Sequence, residues 1–311
     1  MKIKPGFNDV LWMAVGAAAL LIFMLAMFHF RGAQDPAAQI ASKARRVDLV
    51  RQMQMDLASA SEAEKSAVLA TADQDSSTFA DQARAASDRV ERERRQLGEL
   101  LAAGGTQGER DLLAQVTAAF AEFQRVDNDL LFLAVKNTNV KAYSLAFGPA
   151  ATAVKEMNDA LTRLVGANAD ASNGKAVMLL AFGAQVSTLR IQALLPPHIA
   201  EESDKKMDEL EALMATEDTQ VRKSLDGLAD IPKVSKDPEL ATATARYAEF
   251  SNIRTHILAL SRENTNVRSL SISLNQKRKV MLLCQAALSD LQQAVLAEPI
   301  GGAYGTPVRP R

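Results

Sequence analysis

The chain has 311 residues, with 36 Lys and Arg against 37 Asp and Glu and a formal net charge of -1, a balance that leaves no excess positive charge to neutralise nucleic-acid phosphates. Its 15 glycines, 10 prolines and 5% aromatic content, set among abundant Ala, Leu, Glu, Lys, Arg and Gln, argue against an all-β fold and for long helices. A single cysteine, Cys284, excludes an internal disulfide, a zinc site built on two thiolates and c-type haem attachment.

The first element is residues 10–28, VLWMAVGAAALLIFMLAMF, which carry no charged or strongly polar side chain. As a helix they would reach roughly 28 Å, close to the ~30 Å hydrocarbon core of a bilayer. Trp12 at one end and Phe30 with Arg31 at the other suit the interfaces. A removed signal peptide is the competing reading, but the run is longer than a usual signal core and no small-x-small cleavage pattern follows it before Arg31. Residues 1–34 are therefore expected to anchor the chain in a membrane, with contact through residues 10–30. Lys2 and Lys4 precede the span and Arg31, Lys43, Arg45 and Arg46 follow it, so positive charge by itself slightly favours a cytoplasmic C-terminal part.

Beyond the anchor the sequence repeats. The segment FAEFQRVDNDLLFLAVKNTNV at 120–140 matches YAEFSNIRTHILALSRENTNV at 247–267 without a gap, inside a longer match of 113–164 with 240–291. Shared Ala and Leu would be unsurprising between two helices; shared AEF and NTNV at one offset read as a tandem duplication. Leu113, Val116, Phe120, Phe123, Val126, Leu130 and Leu133 stand where Leu240, Ala243, Tyr247, Phe250, Ile253, Ile257 and Leu260 stand in the second copy. That spacing of three and four predicts a buried helical seam, and Met207, Leu210, Met214, Val221 and Leu228 mark another.

Breakers divide each copy into four helices. The first copy should break within 74–77, at the glycine-rich 104–108 loop and at the turn Asn137-Thr138-Asn139, with a kink at Gly148-Pro149 in its fourth helix. The second should break at Pro196-Pro197, at 230–238 and at Asn264-Thr265-Asn266. The expected fold is all-α: an N-terminal transmembrane helix, then two tandem antiparallel four-helix bundles at 35–168 and 169–298, and a flexible tail at 299–311.

Chemistry is sparse. Of the three histidines, His29 lies at the membrane edge, and His198 and His256 are read as solvent-facing or helix-capping, since no HExxH or Glu-x-x-His pattern accompanies them. No catalytic constellation, metal site or cofactor is expected. Cys284 falls on the core stripe of the last helix, opposite Met157 in the repeat, and reads as an inert buried thiol. The charge-rich residues 88–95 read as a solvated face with i,i+4 pairs. The cluster Lys277-Arg278-Lys279 replaces Ala150-Ala151-Thr152 of the first copy and reads as a surface cluster, or an anion-attracting patch on one bundle only. Turn chemistry alone explains both NTN runs, because Asn and Thr cap helices and Asn accepts left-handed geometry. If a polar site exists at a bundle end, its candidates are Asn137, Asn139, Arg262, Asn264, Asn266 and Arg268, with Lys141 beside them.

An anchor followed by bundle units whose third helix ends in a short polar turn and whose fourth runs on as SLSISLNQKRKVMLLCQAALSDLQQAV resembles the four-helix-bundle sensory module of bacterial methyl-accepting chemotaxis receptors. Two copies in tandem also invite comparison with the bimodular helical sensors of some chemoreceptors, which build two modules from shared long helices, whereas this sequence reads as a simple duplication. The resemblance implies an extracytoplasmic, dimeric, ligand-sensing region in the bacterial inner membrane, with a periplasmic C-terminal part, association with other membrane receptors and a small-molecule ligand. No HAMP linker, second span or methylated cytoplasmic coiled coil is recognisable, nor the arginine-rich ligand motif of the aspartate and serine receptors. The competing expectation is a structural coiled-coil scaffold or spacer of the cell envelope.

Overall fold

The computed structural model describes residues 36–299. The expected anchor and nearly all of the expected tail lie outside the described residues. Within them every regular element is helical: α1 (Pro36–Leu69), α2 (Asp73–Gly104), α3 (Gln107–Ala134), α4 (Thr138–Leu145), a π-turn (Ala146–Ala150), α5 (Ala151–Ala167), α6 (Gly174–Ala200), α7 (Asp204–Ala229), a 3-10 turn (Val234–Lys236), α8 (Pro238–Glu263), α9 (Thr265–Ile272), a second π-turn (Ser273–Lys277) and α10 (Arg278–Ala297).

Local chemistry explains most boundaries. The first break falls at 70–72, a few residues before its expected place, and Asp73 and Asp75 then stand in the first turn of α2, where negative charge meets the positive end of the helix dipole. Gly105 follows α2 because a Cβ there would lie 2.7 Å from a Leu101 methyl and 2.9 Å from its backbone. Thr106 and Glu109 open α3 as a capping box, the Thr106 amide donating to Glu109 Oε2 at 2.7 Å and the Glu109 amide to Thr106 Oγ1 at 3.2 Å. Pro196 and Pro197 do not end a helix as expected; α6 runs through both to Ala200. Side chains from elsewhere satisfy the carbonyls of its final stretch. Tyr143 donates to Pro196 O, Ser261 to His198 O, Asn139 to Ile199 O and Asn264 to Glu201 O.

The helices contribute to two compact units. In the described residues of the first (36–55, 89–117 and 285–299), Leu49, Val50, Met53, Leu97, Leu101 and Leu291 are buried. Among them Arg46 is buried too, its Nη1 donating to both carboxylate oxygens of Glu109 at 2.8 and 3.0 Å and its Nη2 to Glu298. Lys43 donates to the carbonyls of Leu296 and Glu298 at 2.7 and 2.6 Å, placing a cation at the negative end of α10. Glu91 in the charge-rich 88–95 stretch pairs with Arg94 and Arg95 at 2.7 Å, and these guanidiniums, Arg94 foremost, hold its carboxyl down to about 2.

The second unit (56–88 and 118–284) contains the repeat's central event. Val154, Met157, Leu161 and Leu164 of α5 form one apolar core with Ile191 and Leu195 of α6, Val221 and Leu228 of α7, and Tyr247, Phe250 and Ile257 of α8. α6 packs along α7, and α5 along α8. A separate cluster joins Ala67 and Val68 of α1, Ala80 and Ala83 of α2, and Leu130, Leu131 and Ala134 of α3, with Ile272 of α9 against it. Packing therefore does not follow the expected division of 35–168 from 169–298. The fourth helix of the first copy packs with the second copy's helices, and the start of the second copy's fourth helix lies against the first copy's. α9 does not fold back along α8.

The centre of the duplicated seam is buried in both copies: Phe120, Phe123 and Leu130 are 3%, 0% and 0% exposed, and Tyr247, Phe250 and Ile257 are 3%, 0% and 0%, while Leu133, Ile253 and Leu260 are half-buried. Cys284 and its counterpart Met157 are both buried. Two described helical stretches, Gly174–Ala200 and Pro238–Ala297, are long and apolar enough by composition to cross a membrane, but Val177, Ile191, Leu195, Phe250 and Ile257 from these stretches sit in the protein core.

The crossing is built by the two NTN runs. Asn137 and Asn264 adopt the left-handed conformation, φ 50° and 52°, the two non-glycine residues of positive φ among those described. Each is a single left-handed step between helices, and the expected chain-reversing turn is instead a crossover. The Thr138 amide donates to Thr265 Oγ1 at 3.2 Å and the Thr265 amide to Thr138 Oγ1 at 3.1 Å. The Asn139 and Asn266 amides donate to each other's side-chain oxygens, both at 3.1 Å. Each copy thus caps the helix start of the other, supplying acceptors for N–H groups that a helix leaves unpaired. Replacing Thr138 or Thr265 by Val should each cost about 1–2 kcal/mol, and the double variant should cost clearly less than the sum, since one reciprocal pair is lost in both. Urea unfolding of the three variants measures this; simple additivity would show the two caps to be independent.

Candidate functional site

The sequence candidates divide sharply once placed. Asn137, Asn139 and Asn264 are buried, at 0%, 4% and 1% exposure. Asn139 Nδ2 donates to Asn264 Oδ1 at 2.8 Å as well as to Ile199 O at 2.6 Å, and Asn266 Nδ2 donates to Asn137 Oδ1 at 2.9 Å. Asn137 Nδ2 donates to Asp73 Oδ1 at 3.2 Å, and the other side-chain bonds of the four asparagines run among themselves and to the end of α6. Arg262 pairs with Asp208 at 2.5 Å and with Glu211 at 2.7 Å. Arg268 is exposed, and Lys141 forms an ion pair with Asp73 at 3.0 Å. The structure joins the asparagines as a structural knot, with the two arginines outside it.

His198 departs from its expected exposure. It is fully buried, with Nδ1 2.8 Å from Ser261 Oγ and Nε2 2.9 Å from Glu211 Oε1. Serine, histidine and a carboxylate in a row suggest a nucleophile and its base by residue type. Ser261 is also 0% exposed, however, and its hydroxyl lies 3.0 Å from the His198 carbonyl oxygen, so the trio ties α6 to α8. At Glu211, burial raises the carboxyl's pKa, but Arg262 and His198 outweigh it and hold the value below the ordinary glutamate range.

The strongest concentration of unusual chemistry lies at the second π-turn. Both π-turns occupy the same repeat position, 146–150 and 273–277. Pro149 sits in the first and supplies a reason for a skipped helical bond; the second, Ser273–Lys277, contains no proline. Such turns commonly mark functional sites. Lys277, expected on a surface cluster, is instead 2% exposed and ion-paired with Asp127. Its ammonium also sits 3.3 Å from the centroid of the buried Phe123 ring, a cation–π contact. Arg278 and Lys279 remain exposed.

Beside this pair lies Glu64 of α1, 0% exposed, with neither carboxylate oxygen hydrogen-bonded. Burial pushes its carboxyl above the ordinary value of 4.5, and the positive charge of Lys277 offsets this only in part. Burial likewise raises Asp127 and lowers Lys277, each opposed by its partner's charge. The Cys284 thiol is pushed up to about 11 by burial, which keeps it protonated and unreactive.

Ser61, Glu64, Ser273 and Lys277 are the buried polar residues in the wall of a 530 Å³ cavity, and Val68, Leu274 and Met281 belong to its apolar part. The other copy lacks this chemistry: Ala150 stands at the Lys277 position and Arg254 at that of Asp127. Arg254 instead bonds Asp218 at 2.9 Å, beside Tyr247. Phe123 and Phe250 are therefore equally buried but lie in different electrostatic surroundings. Sequence reasoning missed Glu64 and Asp127, and the signal for Asp127 was present. It is the position where aligned copies exchange an acid for a base, just as Ala150 and Lys277 exchange a methyl for an ammonium.

No family model matches the chain, and no curated protein or solved structure is significantly similar to it.

Two outcomes follow from the burial of these charges. Glu64→Gln should raise stability at neutral pH by about 1–3 kcal/mol. With a folded pKa above 4.5, the Glu64 contribution is fully present below that value and is lost as pH rises through the folded pKa. The Gln variant should therefore lose this part of the pH dependence, as read by unfolding at stepped pH; an unchanged profile would assign it elsewhere. Lys277→Met should cost about 3–5 kcal/mol by stranding Asp127, and adding Asp127→Leu should recover most of the loss in the same assay.

Proposed function

We propose that this chain is a membrane-anchored sensory protein of the chemoreceptor-like helical class, with its helical region in the periplasm and its anchor at residues 10–28. The observation that carries the reading is the crossover, in which two duplicated units exchange their fourth helices through reciprocal Thr138–Thr265 and Asn139–Asn266 bonds. Helices that pass from one set of partners to another are the arrangement of bimodular helical sensors, and to that extent the chain is closer to them than a simple tandem duplication would be. The arrangement couples packing events: a shift of α9 and the second π-turn at the cavity must be accommodated at the joint, where α4 begins. Signalling then consists of a ligand favouring one of two discrete packings. A homodimer, or association with another receptor's periplasmic region, would pass the change on.

A scaffold of the cell envelope is the second reading, favoured by the exposed apolar side chains Met178, Leu179, Phe182 and Leu189 on α6, a stripe suited to helix association. The discriminating experiment uses the full chain in nanodiscs, with Cys284 replaced by Ser and spin labels at the exposed Thr152 and Gln276. Screening amines, organic acids and amino acids should identify a compound that raises the melting temperature and shifts the label distance. A flat response to all three classes, with α6-dependent self-association, would replace the sensory reading with the scaffold. A reporter fused at residue 311 should give a periplasmic signal; a cytoplasmic one would overturn the assignment of sides.

A further inference from the structure

We propose that the cavity beside the second π-turn binds a small organic ammonium ion with an apolar arm, its N–H groups on Glu64 and its arm against the leucines of α1, the π-turn and α10. The proposal rests on the sensory reading and names its ligand class. Glu64 is the key observation. An unpaired carboxyl at 0% exposure is costly wherever it occurs, and here it forms part of the wall of a 530 Å³ cavity, a volume suited to a small molecule.

The neighbouring charges define what can enter. Lys277 is committed to Asp127, so Glu64 lacks a counter-ion of its own while remaining within their field. A primary ammonium supplies both the missing charge and the missing donors, and a charge-assisted bond of this kind is among the stronger ones. An alcohol of the same shape would supply one neutral donor. A carboxylate would set a second negative charge against Glu64, or require Glu64 to be protonated. At the rim, Lys65 and Arg278 are exposed; water and salt screen them from the inner site, but they oppose a ligand bearing a second positive charge at its far end. A monoamine fits this pattern better than a diamine.

The other half of the site is apolar. Leu69, Leu274 and Leu282 line the cavity and are 69%, 62% and 57% exposed. An alkyl arm laid across them removes apolar surface from water on both sides. The corresponding place in the other copy has Ala150 for Lys277 and Arg254 for Asp127, so the chemistry belongs to one copy alone.

The test is calorimetric titration of the full chain in nanodiscs with isopentylammonium chloride, and with isopentanol, isocaproate and pentane diamine as matched probes. Isopentylammonium should bind saturably and more tightly than the other three. Glu64→Gln should weaken it about tenfold or more while circular dichroism and melting show an intact fold. Leu274→Ala, at an exposed position, should weaken it without loss of stability. Absence of saturable isopentylammonium binding, equal binding by the Gln variant, or preference for isocaproate would each overturn the site. Spin-label distances between Thr152 and Gln276 separate this from the sensory reading. Glu64-dependent binding with no distance change keeps the ammonium site and removes the sensory role; a distance change driven only by another compound class does the reverse.

Discussion

The rest of the second unit depends on the need to satisfy backbone groups where two helical paths cross. A helix start leaves N–H groups unpaired, and burying them without acceptors is expensive. At Thr138 and Thr265 the acceptor comes from the equivalent residue of the other copy, and Asn139 and Asn266 repeat the exchange. Asn139 and Asn264 then close the end of α6 through the carbonyls of Ile199 and Glu201. One six-residue knot therefore sets where two helices start, where a third stops and which copy each fourth helix joins. Left-handed backbone at Asn137 and Asn264 costs little for asparagine, which is why NTN suits the position in both copies.

A second constraint operates where the copies differ. The duplicated framework places a π-turn at the same register twice, but Ala150 and Arg254 in one place and Lys277 and Asp127 in the other give the two turns different chemistry. Duplication left Phe123 and Phe250 equally buried, and divergence set a buried ion pair beside only one of them. The pair is a weak stabiliser, because two charges leave water for one ion pair and a cation–π contact with Phe123. Its consequence for Glu64 is more specific: Lys277 is already engaged by Asp127, and the Glu64 carboxyl is left buried in the cavity wall without a hydrogen-bonded partner.

How much could be read from residues alone follows the range of the interactions. The seams at 113–133 and 240–260 and the buried Cys284 depend on helical period, a local property. The prolines at 196 and 197 were expected to separate two helices; α6 instead carries both within its last turns, and side chains from α4, α8 and the joint take up the carbonyls at its end. His198 misled because nothing near it announces Ser261 or Glu211. The NTN runs were recognised as caps, but a cap was assumed to serve its own helix.

The sequence by itself determined that the described chain is helical, that one helical unit occurs twice, and which face of the matched helices is buried, since periodicity and repetition are carried by neighbours along the chain. Only the tertiary structure decided that the fourth helices change partners and that Glu64, Asp127 and Lys277 meet beside one cavity. Those outcomes rest on contacts between residues far apart in the chain, and a left-handed step at asparagine is compatible with either a hairpin or a crossover until the buried donors find their acceptors.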